Sequence, residues 1–327
     1  MTSQPHKTIR WGIIGLGKIA NKFAKDLLTI EDAQLQAVAS RSLENAKAFG
    51  NTYNPLQVYD NYEALAQDPN VDAVYIATPH SFHKAHTLLC LHHGKAVLCE
   101  KPFAMNTEEV KEMIIVAKSK NVLLMEALWT YFLPHYRFTL KALKEETYGK
   151  LLKVEADFGF TRPFNEASRL FDKKVGGGSL LDIGIYPIFA TLSTLGEPDH
   201  IEAQCTTFEN GADSSCDMVF KYQSGAEAIL KSTLLKDTPT TCVFTCEHGT
   251  ITLNTQFHTP TSITISQQGN SETIDFTGAT IGYNFEILHF NQLLREGKTE
   301  SDVMTYDFSL KLIHILDKVR ALIQLEY

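Results

Sequence analysis

A doubly wound, parallel α/β domain followed by an α+β domain with a large open, mainly antiparallel sheet is the fold class the sequence predicts. Three observations predict it. Short apolar runs alternate with helical patterns from Ile9 to Trp129, strand patterns follow one another after about residue 150, and 327 residues suffice for two cores. The domains are set at 1–126 and 127–327.

In the first domain the strands read IRWGII (9–14), LQAVAS (35–40), VDAVYIAT (71–78), KAVLCE (95–100) and NVLLMEALW (121–129). Between them lie helix-like stretches such as IANKFAKDLL (19–28), NYEALAQD (61–68) and FHKAHTLLCLHHG (82–94), the last closing at Gly94 as helices often do. The second domain reads LKVEADFGF, IEAQCTTF, CDMVFKYQ, AEAILKSTLL, TTCVFTCE, TITLN, SITISQQ and ETIDF, with the alternation of a sheet covered on one face. Helical patterns interrupt it at 179–195 and close it at 284–295 and 307–324, where Phe308, Leu312, Ile315, Leu316, Val319 and Leu322 share a face.

Hydrophobic residues make up 44% and charged residues 21%, the balance of a folded chain and not of a disordered one. A net charge of -8 without a run of Lys and Arg argues against nucleic acid or anionic membrane as partners. Six cysteines with no CxxC pair point to a reducing, cytoplasmic setting. Cys242 and Cys246 alternate within a β-like run, which reads as burial and not as a metal site. The polar N-terminus MTSQPHKTIR has no signal-peptide core, and no stretch of about 18 apolar residues suggests a membrane span.

The first strand runs straight into Gly15-Leu16-Gly17-Lys18-Ile19-Ala20, a GxGxxA turn opening a helix. Glycines allow a tight turn and close approach to a pyrophosphate, the helix N-terminus supplies N–H groups, and a small Ala20 lets helix and sheet pack closely. A dinucleotide is therefore expected here. The second strand ends in Ser40-Arg41-Ser42, a cation and hydroxyls where an NAD-selective site places Asp or Glu. That favours NADP(H), with NAD possible if Arg41 is only a surface residue and Glu44 serves the ribose.

Ala77-Thr78-Pro79-His80 and Glu100-Lys101-Pro102 fall at the carboxyl edge of the parallel sheet, where such folds bind ligands. His80 and His83 are read as near the nicotinamide or substrate. His80, His83, His86, His92 and His93 lack a metal-binding pattern, so no metal is expected. Farther on, GGGSLLDIGIY (176–186) puts Asp182 and Tyr186 four apart, one helical face if the segment is helical, although Pro187 opposes α geometry in the residue before it. The Gly176–Gly178 run is read as a flexible entry to that helix. Trp129, Phe132, Phe160 and Phe164 are core aromatics or pocket walls, and Arg162 and Arg169 reach substrate oxygens or lie in a solvated loop.

GLGKIA, ATPHSFH, CEKPFAMN and GGGSLLDIGIYP, in this order, resemble the glucose-fructose oxidoreductase / inositol dehydrogenase / rhizopine-catabolism (Gfo/Idh/MocA) family over nearly the whole chain. DIGIY with MEALWTYFLPH looks most like its dimeric trans-1,2-dihydrobenzene-1,2-diol dehydrogenase and D-xylose dehydrogenase branch. The resemblance implies a Rossmann domain, an open antiparallel sheet, and a catalytic EKP lysine. Carried over residue by residue, the lysine is Lys101, its carboxylate companion Asp182 and the acid/base position Tyr186. Tyr131 stands where that branch often has Arg.

The expected function is hydride transfer between NADP(H) and a CH–OH or C=O carbon of a sugar, polyol or trans-dihydrodiol. Either Tyr186 or Lys101 accepts the proton. The cofactor set is Gly15, Gly17, Lys18, Ile19, Ala20, Ser40, Arg41, Ser42, Ala77, Thr78, Pro79, His80, His83, Glu100, Lys101 and Trp129. The substrate set is Lys101, Trp129, Phe160, Arg162, Asp182 and Tyr186. A catalytically inactive, dinucleotide-binding regulator of the same fold is the alternative, disfavoured because such a protein has no need of proton-transfer groups. An apolar open sheet face leads to the expectation of a homodimer or higher homo-oligomer.

Overall fold

The computed structural model describes residues 7–327, so MTSQPH of the polar N-terminus lies outside the described residues. Two compact units emerge. One runs to Trp129 and takes up Thr280–Leu310; the other comprises Thr130–Ala279 and Lys311–Tyr327.

The first unit alternates β1 (Ile9–Ile14), α1 (Lys18–Leu27), β2 (Ala33–Ala39), α2 (Leu43–Tyr53), β3 (Gln57–Tyr59), α3 (Tyr62–Gln67), β4 (Ala73–Ile76), α4 (His83–His92), β5 (Ala96–Glu100), α5 (Thr107–Lys120) and β6 (Leu124–Ala127). All neighbouring strands pair in parallel, in the order β3-β2-β1-β4-β5-β6. Every residue of β4, β5 and β6 is buried, as expected of strands covered on both faces. Ser42, Asn61 and Asn106 cap α2, α3 and α5, each accepting from the backbone N–H three residues on, which fixes where those helices begin. The order of strands reverses direction between β1 and β4, and the carboxyl ends of β1, β4 and β5 share one edge. That edge is where the fold accommodates a ligand.

The second unit contains α6 (Pro134–Lys144), β7 (Leu151–Gly159), α7 (Ile185–Leu195) and β8 to β14 (His200–Thr207, Asp213–Lys221, Glu227–Thr233, Cys242–Cys246, Gly249–Leu253, Ile263–Gln267, Asn270–Ile274). Its eight strands run β14-β13-β12-β11-β7-β10-β9-β8, with β7 and β10 parallel and the other pairs antiparallel. Alternate residues, among them Val154, Ala156, Met218, Phe220, Ala228, Leu230, Phe244 and Ile251, are buried, and α7 packs on β7 and β10. Lys173–Leu195 is long and apolar enough to cross a membrane, but 94% of its most apolar stretch is buried within the protein, so its apolarity is that of a core helix. The opposite face is not the apolar surface expected. Lys231 pairs with Asp217, Lys153 lies 3.0 Å from Glu155 and 3.7 Å from Glu227, and the apolar side chains among them are few, the facing pair Val219 and Ile229 and, across Glu155, Val243.

α8 (Tyr283–Arg295) belongs to the first unit. Asp26, 2% exposed on α1, accepts from the N–H groups of Ile281 (3.0 Å), Gly282 (2.8 Å), Tyr283 (2.8 Å) and Asn284 (3.4 Å), capping a helix over 250 residues away in sequence. Trp11 Nε1 donates to Asn291 at 3.0 Å, and Arg295 meets Asp32 at 2.6 Å. Within α9 (Tyr306–Leu322) the chain passes from the first unit to the second.

Candidate active site

Gly15, at φ +88°, lies so close to the end of β4 that a Cβ would come within 2.7 Å of the Ala77 carbonyl carbon and the Thr78 nitrogen. The turn thus packs against the Ala77–Thr78 segment only because residue 15 has no side chain. Gly17 is different. A Cβ there would meet nothing within 4 Å, and its φ of -83° suits any residue, so the fold itself does not require glycine. A cradle left open in front of the N-terminus of α1 fits a pyrophosphate whose oxygens approach the backbone. Lys18 is exposed and Ile19 half-buried at the start of the helix, while Ala20 is fully buried.

At the end of β2, Ser42 accepts from Asn45 N at 3.3 Å and Ser40 Oγ accepts from Ser42 N at 3.2 Å, which holds the Ser40–Ser42 turn. The exposed Arg41 guanidinium lies 5.8 Å from the centre of the Phe82 ring. Its charge, after burial, helps push the His86 imidazole down to about 4.

Lys101 is half-buried at the carboxyl end of β5, above a concentration of buried acids. Tyr75 donates its hydroxyl to Glu100 Oε1, and Lys101 N donates to Glu100 Oε2 at 3.2 Å. Phe103 N donates to Glu126 Oε1 at 3.0 Å. Burial, opposed by Ser309, the Phe103 amide and Lys101 and reinforced by Glu100, raises the Glu126 carboxyl to about 7. Glu286 on α8 is fully buried with neither carboxyl oxygen hydrogen-bonded, and burial followed by Glu100 pushes it well above the usual carboxylate range. Trp129, 4% exposed, stacks on Tyr283 with ring centres 4.4 Å apart.

Thr78 and His80 are buried and Pro79 half-buried at the same edge. His83 is fully buried, with Nδ1 2.8 Å from the Pro102 carbonyl and Nε2 2.8 Å from the Thr78 carbonyl. His86 Nδ1 is likewise engaged, 3.0 Å from Thr78 Oγ1. Among the described residues no group of three His, Cys, Asp or Glu side chains is arranged to hold a metal ion.

In the second unit Leu180–Gly184 forms a π-helical turn leading into α7, so Asp182 and Tyr186 are not four apart on a regular α-helix. Pro187 is accommodated near the start of α7, where a missing N–H disturbs least. The glycine run before this turn is held by close packing. Gly178, at φ +135°, would drive a Cβ to 2.0 Å from Asp213 Oδ1, and Asp213 in turn accepts from Ser179 Oγ (2.7 Å) and Leu180 N (2.6 Å). Asp182 and Tyr186 are 8% and 5% exposed, polar groups within an apolar helical segment. Arg169 reaches Asp182, with Nη1 donating to Oδ1 at 3.2 Å. Arg162 is exposed over the Phe160 ring, and Phe160 packs against the Phe171, Ile183 and Leu234 cluster. Phe158 and His258 flank Tyr186, their ring centres 5.6 Å and 5.1 Å from its own. Tyr131 borders a groove of about 960 Å³ with Arg137, Lys141 and Ser193, which contains none of these side chains.

A dinucleotide cradle, a lysine at the sheet edge and a second unit with a buried carboxyl and phenol define a two-unit nicotinamide-dependent oxidoreductase acting on CH–OH groups. Residues 9–128 match the Gfo/Idh/MocA oxidoreductase family with NAD-binding Rossmann fold, and residues 136–252 match the Gfo/Idh/MocA C-terminal domain. A trans-1,2-dihydrobenzene-1,2-diol dehydrogenase of Xenopus laevis is 36% identical over 94% of this chain and 96% of its own. An NADP-dependent scyllo-inositol 2-dehydrogenase of Bacillus subtilis is 34% identical over 95% and 96%. The solved structure of a 3-ketoreductase from Actinomadura kijaniata, in complex with NADP and TDP-benzene, superimposes with a TM-score of 0.87 at 27% identity, covering 96% of this chain and 98% of that one. The chain belongs to the Gfo/Idh/MocA family.

Proposed function

We propose that the protein is an NADP(H)-dependent dehydrogenase or reductase of a small sugar, polyol or trans-dihydrodiol, with Lys101, Asp182 and Tyr186 as its working groups. The observation that carries this reading is the half-buried Lys101 on the sheet edge it shares with the Gly15–Gly17 turn. Bound nicotinamide supplies the hydride acceptor or donor. When a carbinol loses hydride, its oxygen must lose a proton as the carbonyl forms, and a base within hydrogen-bond reach has to receive it. Tyr186 receives that proton. Lys101 donates a hydrogen bond to the carbinol oxygen. Asp182 orients the cationic partner. In reduction the same groups return the proton. Relatives that act on a trans-dihydrodiol and on scyllo-inositol support a vicinal diol as substrate class. Arg41, with the hydroxyls of Ser40 and Ser42, meets the 2′-phosphate. A cytoplasmic setting belongs to the same reading, supported by six free thiols although Cys205 and Cys216 face each other across β8 and β9.

The test is turnover on a panel of diols and aldoses, with titration of NADPH and NADH fluorescence. Tyr186→Phe and Lys101→Met should each lower kcat by about 10²–10⁴-fold while leaving NADPH affinity nearly intact. Arg41→Asp should weaken NADPH binding and relatively favour NADH. Near wild-type turnover in the tyrosine variant removes Tyr186 from the mechanism, and tighter binding of NADH than NADPH by the wild type sinks the phosphate assignment.

A further inference from the structure

The two carbonyls that His83 faces belong to the ends of adjacent strands, and one of them is the residue after Lys101. Thr78 follows β4 and Pro102 follows β5. A carbonyl oxygen only accepts, so each 2.8 Å contact requires the imidazole to donate. A neutral ring has a single N–H. Burial, with a contribution from the Lys101 charge, pushes this imidazole down to about 4, so near neutral pH it can hold one carbonyl by a hydrogen bond and not both.

The segment around Lys101 indicates which one. Glu100 is held by Tyr75, and the Phe103 N–H by Glu126. Pro102 has no N–H, so its carbonyl is that residue's only backbone hydrogen-bonding group, and it lies in the same peptide as the Phe103 N–H that Glu126 accepts. His83 itself is fixed at the first residue of α4, beside the buried His80 ring 5.7 Å away.

We propose that His83 is a positioning residue for Lys101: an N–H at Nδ1, donated to the Pro102 carbonyl, holds the Pro102–Phe103 peptide from the side opposite Glu126 and so fixes the turn that carries the lysine and the stem from which the ammonium reaches the substrate oxygen. This rests on the reading of Lys101 as a working group. A misplacement of about 1 Å can lower turnover by about 10²-fold, so one such bond is enough to matter.

Two substitutions separate the two contacts. His83→Asn places an amide nitrogen near the position of Nδ1, and His83→Gln near that of Nε2. The Asn variant should turn over within about threefold of wild type, and the Gln variant at least about tenfold more slowly, with KM for NADPH and substrate within about threefold and equal melting temperatures in the two variants. Nitrogen-15 spectra of histidine-labelled wild type, which need no variant to fold, should show His83 protonated at Nδ1 near pH 7. An unprotonated Nδ1, or equal kcat in the Asn and Gln variants, overturns the proposal. Lys101→Met is measured beside them. Wild-type turnover there overturns the reading of the site and this inference with it, whereas an inactive Lys101→Met with equal Asn and Gln variants overturns the inference alone.

Discussion

Removing the carboxylate of Asp26 should undock α8 from the first unit before the rest of that unit unfolds. Four amide nitrogens donate to it from 2.8, 2.8, 3.0 and 3.4 Å, at the N-terminus of a helix whose dipole favours negative charge. Hydrogen bonds to a charged group contribute about 1.5–3 kcal/mol each, but these share one carboxylate and are not additive. Asp26→Ala should therefore cost about 3 kcal/mol in total. Asp26→Asn keeps one acceptor oxygen and should cost roughly half. For a unit of this size 1 kcal/mol shifts the melting temperature by about 2–4 °C, so the expected losses are about 6–12 °C and about 3–6 °C. The two tryptophans report directly, because Trp11 lies 5.1 Å from Phe290 and Trp129 stacks on Tyr283, both rings of α8. Their emission should shift to the red at temperatures where far-ultraviolet circular dichroism is still native. An Asp26→Ala protein that melts within about 2 °C of wild type with unshifted emission would refute the capping argument.

Gly17→Ala should leave the melting temperature within about 2 °C, since its Cβ meets no protein atom, yet weaken NADPH binding at least about tenfold; unchanged affinity would mean that no ligand occupies that space. Glu126, ordinarily ionising near 4.5 and raised to about 7 in the fold, gives a contribution to stability that is fully present below about 4.5 and is lost as pH rises through about 7. Glu126→Gln removes that loss and should be more stable than wild type at pH 8 by up to about 3 kcal/mol in urea titrations, the gain vanishing toward pH 4.5; a pH-independent difference refutes the assignment. His83 and His86, each lowered to about 4, act in the opposite sense, with stability present above about 6.5 and lost as pH falls through about 4, but they are common to both proteins. Light scattering should return a particle larger than 36.6 kDa, and because the open sheet face is a ladder of charges, its size should fall with added salt; a 36.6 kDa species at low salt removes self-association through that face.

What could be read from the sequence is what short segments determine by themselves. The run from β1 into Gly15-Leu16-Gly17, the lysine after β5 and all eight strands of the second sheet are local patterns of period two or of glycine placement. β3 is three residues long, only partly buried, and has no pattern to show. Choices made at a distance were not legible. Nothing near residue 26 indicates that it caps residues 281–284. Arg162 and Arg169 look alike in FTRPFNEASRLF, and only the fold decides that the second meets Asp182. His258 sits in a loop with no motif around it and shows its relevance only beside Tyr186. The partners of His83 are backbone carbonyls, to which every sequence is silent.

The return of the chain to its first unit imposes an order of events during synthesis. Trp11 and Asp26 are made early, but the asparagine and the helix N-terminus that satisfy them arrive only with residues 281–291. At roughly 5–20 residues per second, the ribosome takes roughly 10–30 s to travel from Trp129 to the end of α8. During that interval Trp11 and Phe23 are without the rings of Phe290 and Tyr283 that lie beside them in the folded chain. The same geometry dictates how the gene can be cut. A fragment ending at residue 129 inherits the glycine turn and the lysine but not the helix that closes their unit, so any transplant of this cofactor domain has to bring Thr280–Leu310 with it.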